Sequence, residues 1–281
     1  MDFAYRRRKF VNLVSLAGIF GLAVLAAVPF FVVSVFVLDK GLGAISWDFF
    51  TQLPKGPGEE GGGMANAIVG SAIMVGLAAV LSIPWGLAAG IFMSEYGDSR
   101  TARCLRFTTD LLASTPSIVV GIFVYGLIVV YTGFPAWAGA AALTVIMLPI
   151  VARTSEEMLK LVPDHVREAG LALGLPRWKV IVRLVLPAAK SGVITGLMLA
   201  LARVAGETAP LLFTALGNNY HSESLNQPTA SLPVQVYNYA MSPFEEMQQQ
   251  AWAGALVLVL FVVVINLSTR LLLRSKQGWS S

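Results

Sequence analysis

The sequence predicts an all-α membrane protein of six transmembrane helices with both termini in the cytoplasm, and three observations carry that prediction. The chain of 281 residues is 56% apolar and only 13% charged, with a mean hydropathy of +0.70, where an ordinary soluble domain carries about 25% charge. A soluble fold of this composition has too little polar surface to cover its core, and lipid-facing helices have no such need. Six apolar stretches approach or exceed the roughly 20 residues that a helix needs to cross about 30 Å of hydrocarbon. Finally, seventeen of the 20 Lys and Arg fall into segments on one side of those stretches, the bias that marks the cytoplasmic side.

The first stretch, 11–38, follows Arg6-Arg7-Arg8-Lys9. Its length far exceeds the 7 to 15 apolar residues of a typical signal-peptide core, so it reads as a retained helix. An outer loop rich in Pro and Gly (53–63) leads to the second span, 65–93, and Arg100, Arg103 and Arg106 then return the chain to the cytoplasm. The third span, 107–132, is interrupted by Ser114-Thr115-Pro116-Ser117. The fourth, 136–152, is the shortest, with Trp137 at the outer interface and Pro149 near its end. Seven Lys and Arg occupy 153–190. The fifth span, 190–216, opens into a long outer loop, 214–245, in which LPVQVYNYA is suited either to the membrane interface or to a partner. Ser242-Pro243-Phe244-Glu245 resembles a capping box and places the start of the last helix at Ser242. That helix spans 246–273, with Arg270, Arg274 and Lys276 at its cytoplasmic end, and only Lys40 and Lys55 lie in outer loops. The organisation is an N-terminal helix with its outer loop (1–64), a five-span core (65–273) and a cytoplasmic tail (274–281).

The same composition excludes several functions. Cys104 is the lone cysteine, so no internal disulfide forms, and two histidines argue against a multi-histidine metal centre. The basic pI of 9.3 follows from topology and needs no nucleic-acid partner. Neither His165 nor His221 lies in a span, and no HExxH or GxSxG pattern occurs, which disfavours a membrane-embedded enzyme.

The loop 153–190 is longer than a turn between helices requires. Pro163-Asp164 starts a short helix that Gly174 stops, and Pro176 starts another, RWKVIVRLVL, that ends at Pro187. Glu168-Ala169-Gly170, then Gly174, then Leu184-Val185-Leu186-Pro187 resemble the EAA loop of ABC importer permeases, with Gly170 where that family has Ala and Leu184 where it often has Ile. The resemblance implies that the helix around Glu168, Ala169 and Gly170 docks in a groove of a separate ATP-binding subunit, with Gly174 permitting the sharp turn. This chain has no G-x-x-x-x-G-K-[ST] phosphate loop. No cofactor is expected on it, ATP and Mg being held by the partner ATPase.

Away from the span ends that hold Lys190, Glu246 and Arg270, the charged residues that fall inside spans are Asp110, Arg203 and Glu207, where a charge costs about 2.5–3.5 kcal/mol on insertion scales and marks a functional candidate. Asp110 follows Arg106 by one turn near the cytoplasmic mouth, where it can pair with that arginine or meet water. Arg203 and Glu207, one turn apart, can pair within the fifth span. Gly206 and Pro210 predict a kink there, since Pro210 cannot donate to the carbonyl of Gly206. Two interrupted spans point to a substrate path. Arg203 suits a tetrahedral oxyanion through its planar fork, and Ser117 and Thr208 can add hydroxyl donors.

ARVAGETAPLLFTALGN (202–218), TPSIVVGIFVYG (115–126), WAGAL (252–256), GGGMANAIVGS (61–71) and LKLVPDHVREAG (159–170) are similar to the PstA-type permeases of phosphate-specific ABC importers. That resemblance implies a type I ABC importer permease fold over 65–273, in the bacterial cytoplasmic (inner) membrane. It also implies a PstC-type partner permease, two copies of a PstB-type ATPase, a PstS-type phosphate-binding protein, inorganic phosphate as substrate, and transport roles for Arg203 and Glu207. From the residues alone, sulfate, molybdate and arsenate fit as well as phosphate. A proton-coupled secondary transporter using Glu207 is a further alternative, although the two repeated halves usual in such proteins are not apparent.

Overall fold

The computed structural model describes residues 2–56, 58, 59 and 61–277. Its described residues are helical apart from loops and one isolated bridge between Leu216 and Thr229. Helix α1 (Asp2–Ala44) and the short α2 (Trp47–Thr51) precede α3 (Ala65–Glu95), α4 (Arg100–Ser114), α5 (Ser117–Thr132) and α6 (Ala136–Lys160). Then come α7 (Asp164–Ala172), α8 (Arg177–Ala205), α9 (Ala209–Thr214), α10 (Leu232–Ala240) and α11 (Glu245–Gln277). Among the described residues, α1, α3, α6, α8 and α11 are long and apolar enough to cross a membrane, and α4 with α5 makes a sixth if the bent pair is one span.

The centre of the bundle is the pairing of α3 with α6. Small residues let the two backbones approach: a Cβ at Gly86 would sit 2.7 Å from the Val151 side chain, and one at Gly90 2.7 Å from the Ala152 carbonyl. Where lipid is as apolar as the core, such close packing and not water exclusion holds helices together. Met74, Leu143, Met147 and Val151 fill this core without exposure. By contrast α1 is exposed along most of its length and meets the bundle near its C-terminal end, where Gly41 lies against Leu256 and the rings of Phe36 and Trp252 are 6.0 Å apart. At the same end of the bundle, α2 and α10 pack with α11 around Phe49, Met64 and Leu232. Residues 232–240 are thus part of the folded body, with Leu232, Val234 and Gln235 buried.

Several boundaries differ from the sequence reading. The third span is a right-angled pair: α4 and α5 meet at 99°. Pro116 drives Thr115 into an extended conformation (φ −72°, ψ 128°), and the first half of the pair, α4, carries Arg100, Arg103, Arg106 and Asp110. The fourth helix runs past the expected end at 152 to Lys160, with Arg153, Glu156 and Lys160 paired along its last turns. The second helix of the 153–190 hairpin does not end at Pro187. It continues as α8 to Ala205, with a π-turn over Ile181–Val185 just before the proline. That shifted ladder accommodates a residue without an N–H that would otherwise break the helix. The same helix stops at Ala205, short of the expected 216, because Gly206 and Pro210 flank a break. The last helix begins at Glu245, three residues beyond Ser242, whose hydroxyl accepts from the N–H of Phe244 (3.3 Å). α11 reaches Gln277, so the predicted tail lies outside the described residues from 278 onward.

Candidate functional site

Two places gather the chemistry: the break after α8 and the hairpin containing α7. At the break, the N–H groups of Gly206 and Glu207 bond back to the carbonyls of Arg203 and Val204 (both 3.2 Å), closing α8 with a tight turn. Thr208 then starts α9, its carbonyl accepting from Leu211 (3.1 Å) and Leu212 (3.2 Å). Arg203 Nε lies 3.7 Å from Glu207 Oε1, so the predicted pair forms, but as a long single contact. The Arg203 side chain is 63% exposed on this chain and that of Glu207 17%. Among the described residues the Arg203 guanidinium makes no hydrogen bond, leaving its five N–H donors available to an acceptor.

The second interrupted helix meets the first at this point. Gly121 of α5 packs on Pro210 so closely that a Cβ would lie 2.7 Å from the Pro210 Cα. Ser117 is one turn before Gly121, and Thr208 two residues before Pro210, so the fold brings both hydroxyl-bearing segments to the junction. Neither hydroxyl has a hydrogen-bond partner among the described residues, and both side chains are half-buried. Arg203, Glu207 and Thr208 put a charged fork, a carboxylate and a hydroxyl at a helix break in an apolar bundle, and Ser117 stands on the helix that packs against that break; irregular backbone of this kind is tolerated at membrane depth where it lines a cavity.

The hairpin is built as the Gly174 turn requires. Gly174 has φ +76°, its N–H bonds Leu171 O (2.9 Å), and the N–H of Leu175 reaches back to Gly170 O (3.2 Å). This is a Schellman closure, with glycine at the left-handed position. Gly170 is buried, and a Cβ there would come within 2.7 Å of Leu184 and 2.9 Å of Val180. Its substitution for alanine therefore lets α7 sit closer to the π-turn of α8. Glu168 and Ala169 face outward, flanked by exposed Leu171 (47%), Leu173 (80%) and Trp178 (61%). Pro187 stands apart from this face, within α8.

Asp110 does not pair with Arg106. Its carboxylate lies 2.6 Å from Arg153 Nη2, while Arg106 Nε bonds Glu156 Oε1 at 2.5 Å. Glu156 is the residue that the sequence reading misses: its side chain is 1% exposed and contacts Arg106, Arg153 (3.0 Å) and Lys160 (2.6 Å). Arg106 also donates to Met93 O (2.6 Å) and Gly97 O (2.9 Å) and so binds the C-terminal end of α3. The spacing Arg153-x-x-Glu156-x-x-x-Lys160 was the available signal, since it places all three on one helix face.

Residues 82–277 match the protein family described as "Binding-protein-dependent transport system inner membrane component". The phosphate transport system permease protein PstA of Xylella fastidiosa is 48% identical, covering 97% of this chain and 96% of the relative. That of Haemophilus influenzae is 48% identical over 86% of each chain, and PstA 1 of Mycobacterium tuberculosis is 38% identical over 95% of this chain and 90% of its own. Among solved structures, a chain of the inward-facing MetNI methionine ABC transporter superposes with a TM-score of 0.62 at 18% identity, over 75% of this chain and 95% of that one. A chain of the bacterial alginate ABC transporter in complex with alginate pentasaccharide-bound periplasmic protein gives 0.62 at 13% identity, over 94% and 93%. The structural likenesses concern the fold of ABC transporter chains.

Proposed function

The chain belongs to the family of binding-protein-dependent transport system inner membrane components, and on that premise we propose how its parts serve phosphate import. It is the permease subunit of a phosphate ABC importer, a transport subunit and not an enzyme. The observation that carries this reading is 48% identity over 97% of the chain with a named phosphate transport permease. It works with ABC partners, which we take to be a PstC-type permease, two PstB-type ATPase copies holding ATP and Mg, and a PstS-type binding protein. The bent pair α4 and α5 counts as one span, giving six in the bacterial inner membrane, with the 17 cytoplasmic Lys and Arg placing both termini inside.

In this reading the break after α8 lies on the phosphate path. An oxyanion entering an apolar bundle loses hydration, and a planar guanidinium with free donors replaces it through parallel charge-assisted hydrogen bonds. Arg203 supplies that fork, and Ser117 and Thr208 supply neutral donors. Glu207, 3.7 Å away, holds Arg203 when no anion is present and competes with phosphate for it, which keeps the anion from binding too tightly to leave. ATP-driven closure of the partner ATPases displaces α7 by its exposed face of Glu168, Ala169 and Leu171, and the hairpin carries that displacement into α8. Proteoliposomes of the full assembly, given labelled phosphate and competed with sulfate, molybdate and arsenate, test the reading. Phosphate uptake that depends on ATP and binding protein and resists sulfate and molybdate is expected. Uptake displaced equally by sulfate or molybdate would reassign the substrate.

A further inference from the structure

Arg167 stands on the inward face of α7, 18% exposed, and reaches two other helices at once. Its Nε and Nη2 both lie 3.0 Å from Oε1 of Glu95, the last residue of α3, whose side chain is only 5% exposed. Nη2 donates to Leu159 O (3.0 Å) and Nη1 to Val162 O (2.6 Å) at the end of α6, where helix carbonyls lack intrahelical partners. Nη1 is also 3.4 Å from Asp164 at the start of α7 itself. One planar group therefore ties the short hairpin helix to the cytoplasmic ends of α3 and α6, the most closely packed pair in the bundle. The covalent links are softer: Leu161-Val162-Pro163 on one side and the Gly174 turn on the other.

We propose that Arg167, held by Glu95, is a positioning residue for coupling: it is the strut through which displacement of α7 by the ATPase moves α3 and α6. This rests on the reading of α7 as the docking helix and adds the route into the bundle. Gly170 packs α7 on the π-turn of α8 through apolar contact alone, which can slide. The Arg167 fork cannot, because its donors are fixed in one plane and aimed at three separate acceptors. Losing it leaves a helix that still docks but swivels on its loops, so ATP is hydrolysed without moving the spans.

The test measures ATP hydrolysis and phosphate uptake in the same proteoliposomes of the full assembly, reported as ATP consumed per phosphate moved. Arg167→Met should leave ATPase subunits co-purifying and raise that ratio at least tenfold, Arg167→Lys should raise it less, and Glu95→Gln, which keeps the carbonyl contacts of Arg167, should fall between wild type and Arg167→Met. An unchanged ratio in assembled Arg167→Met overturns the proposal. Should Arg167→Met fail to assemble, an unchanged ratio in Glu95→Gln overturns it instead. Leu171→Asp, on the outward face, separates the two levels of the argument: if it leaves ATPase co-purification intact, the docking reading fails. If it abolishes co-purification while Arg167 variants keep a normal ratio, the strut alone fails.

Discussion

Arg203 on the one hand and Arg106 and Arg167 on the other are the same side chain in opposite states. Arg106 donates to Glu156 Oε1 and to two carbonyls of the α3 terminus, and Arg167 to Glu95 and two carbonyls of the α6 terminus, all within 3.0 Å. Arg203 has one carboxylate at 3.7 Å and no hydrogen bond among the described residues. A guanidinium that donates from all three nitrogens, as Arg106 and Arg167 do, fixes helices. One whose donors are free at a helix break is, in the proposed path, the one that receives the anion. The contrast separates the two roles without reference to depth in the membrane.

The sharpest way to break the comparison is to remove Arg203. Hydrogen bonds to charged groups contribute about 1.5–3 kcal/mol each, so losing two to the anion should lower uptake by roughly 100-fold or more in Arg203→Gln, at matched membrane abundance. Glu207→Gln should slow release without abolishing entry. If Arg203 merely neutralised Glu207, the double neutral variant would be milder than either single one, because no lone charge would remain. Recovery of transport in that double variant would reduce the pair to packing.

Glu156 offers the opposite experiment. With its side chain 1% exposed among three cations that are themselves 23–51% exposed, Glu156→Gln should cost about 1–3 kcal/mol of stability, seen as a lower inactivation temperature of the detergent-solubilised complex. Uptake per surviving complex should stay close to wild type. Lost uptake at unchanged stability would move this cluster from the scaffold into the path.

What the sequence showed and what it hid follow the range of the interactions. Gly174 was legible because a left-handed helix stop is a local event, and the observed φ of +76° is what the position after Leu173 called for. The kinks at Pro116 and Pro210 were legible as breaks, but the 99° between α4 and α5 was not, since an angle depends on what each half packs against. Asp110 read as a partner of Arg106 or of water, because the helix rule sees only neighbours one turn away. Its partner Arg153 lies on α6, across the junction of two helices. Glu95 and Arg167 are 72 residues apart, and nothing local links them.

A smaller effect is expected at the hairpin turn, where backbone strain and not charge is at stake. A left-handed conformation costs an ordinary L-residue roughly 1–2 kcal/mol, and a β-branched one at least that. Gly174→Val should therefore weaken co-purification of the ATPase roughly 5- to 30-fold. Gly174→Asn, which tolerates this conformation better, should weaken it less. Equal retention by both variants would mean that the turn is not needed to present Glu168 and Leu171.

The smallest effect should come from Asp110, and it tests whether the comparison extends to carboxylates. Asp110 lies 2.6 Å from Arg153, but the two side chains are 54% and 34% exposed, and Arg153 keeps a second partner in Glu156 at 3.0 Å. Asp110→Asn therefore leaves no cation alone, unlike Glu156→Gln, and the asparagine side chain can still accept from Arg153. An exposed pair of this kind contributes about 0–1 kcal/mol, so both the inactivation temperature and phosphate uptake should remain near wild type. A different outcome would be informative because α4 carries Asp110 at the start of the same bent pair whose other half, α5, meets Pro210 at the break. Uptake falling more than tenfold at unchanged stability would mean that Arg153, once freed from Asp110, retains the anion on its way to the cytoplasm. Arg153 would then behave as a second receiving arginine, and the division between occupied and free guanidinium groups would depend on which state of the transport cycle is considered.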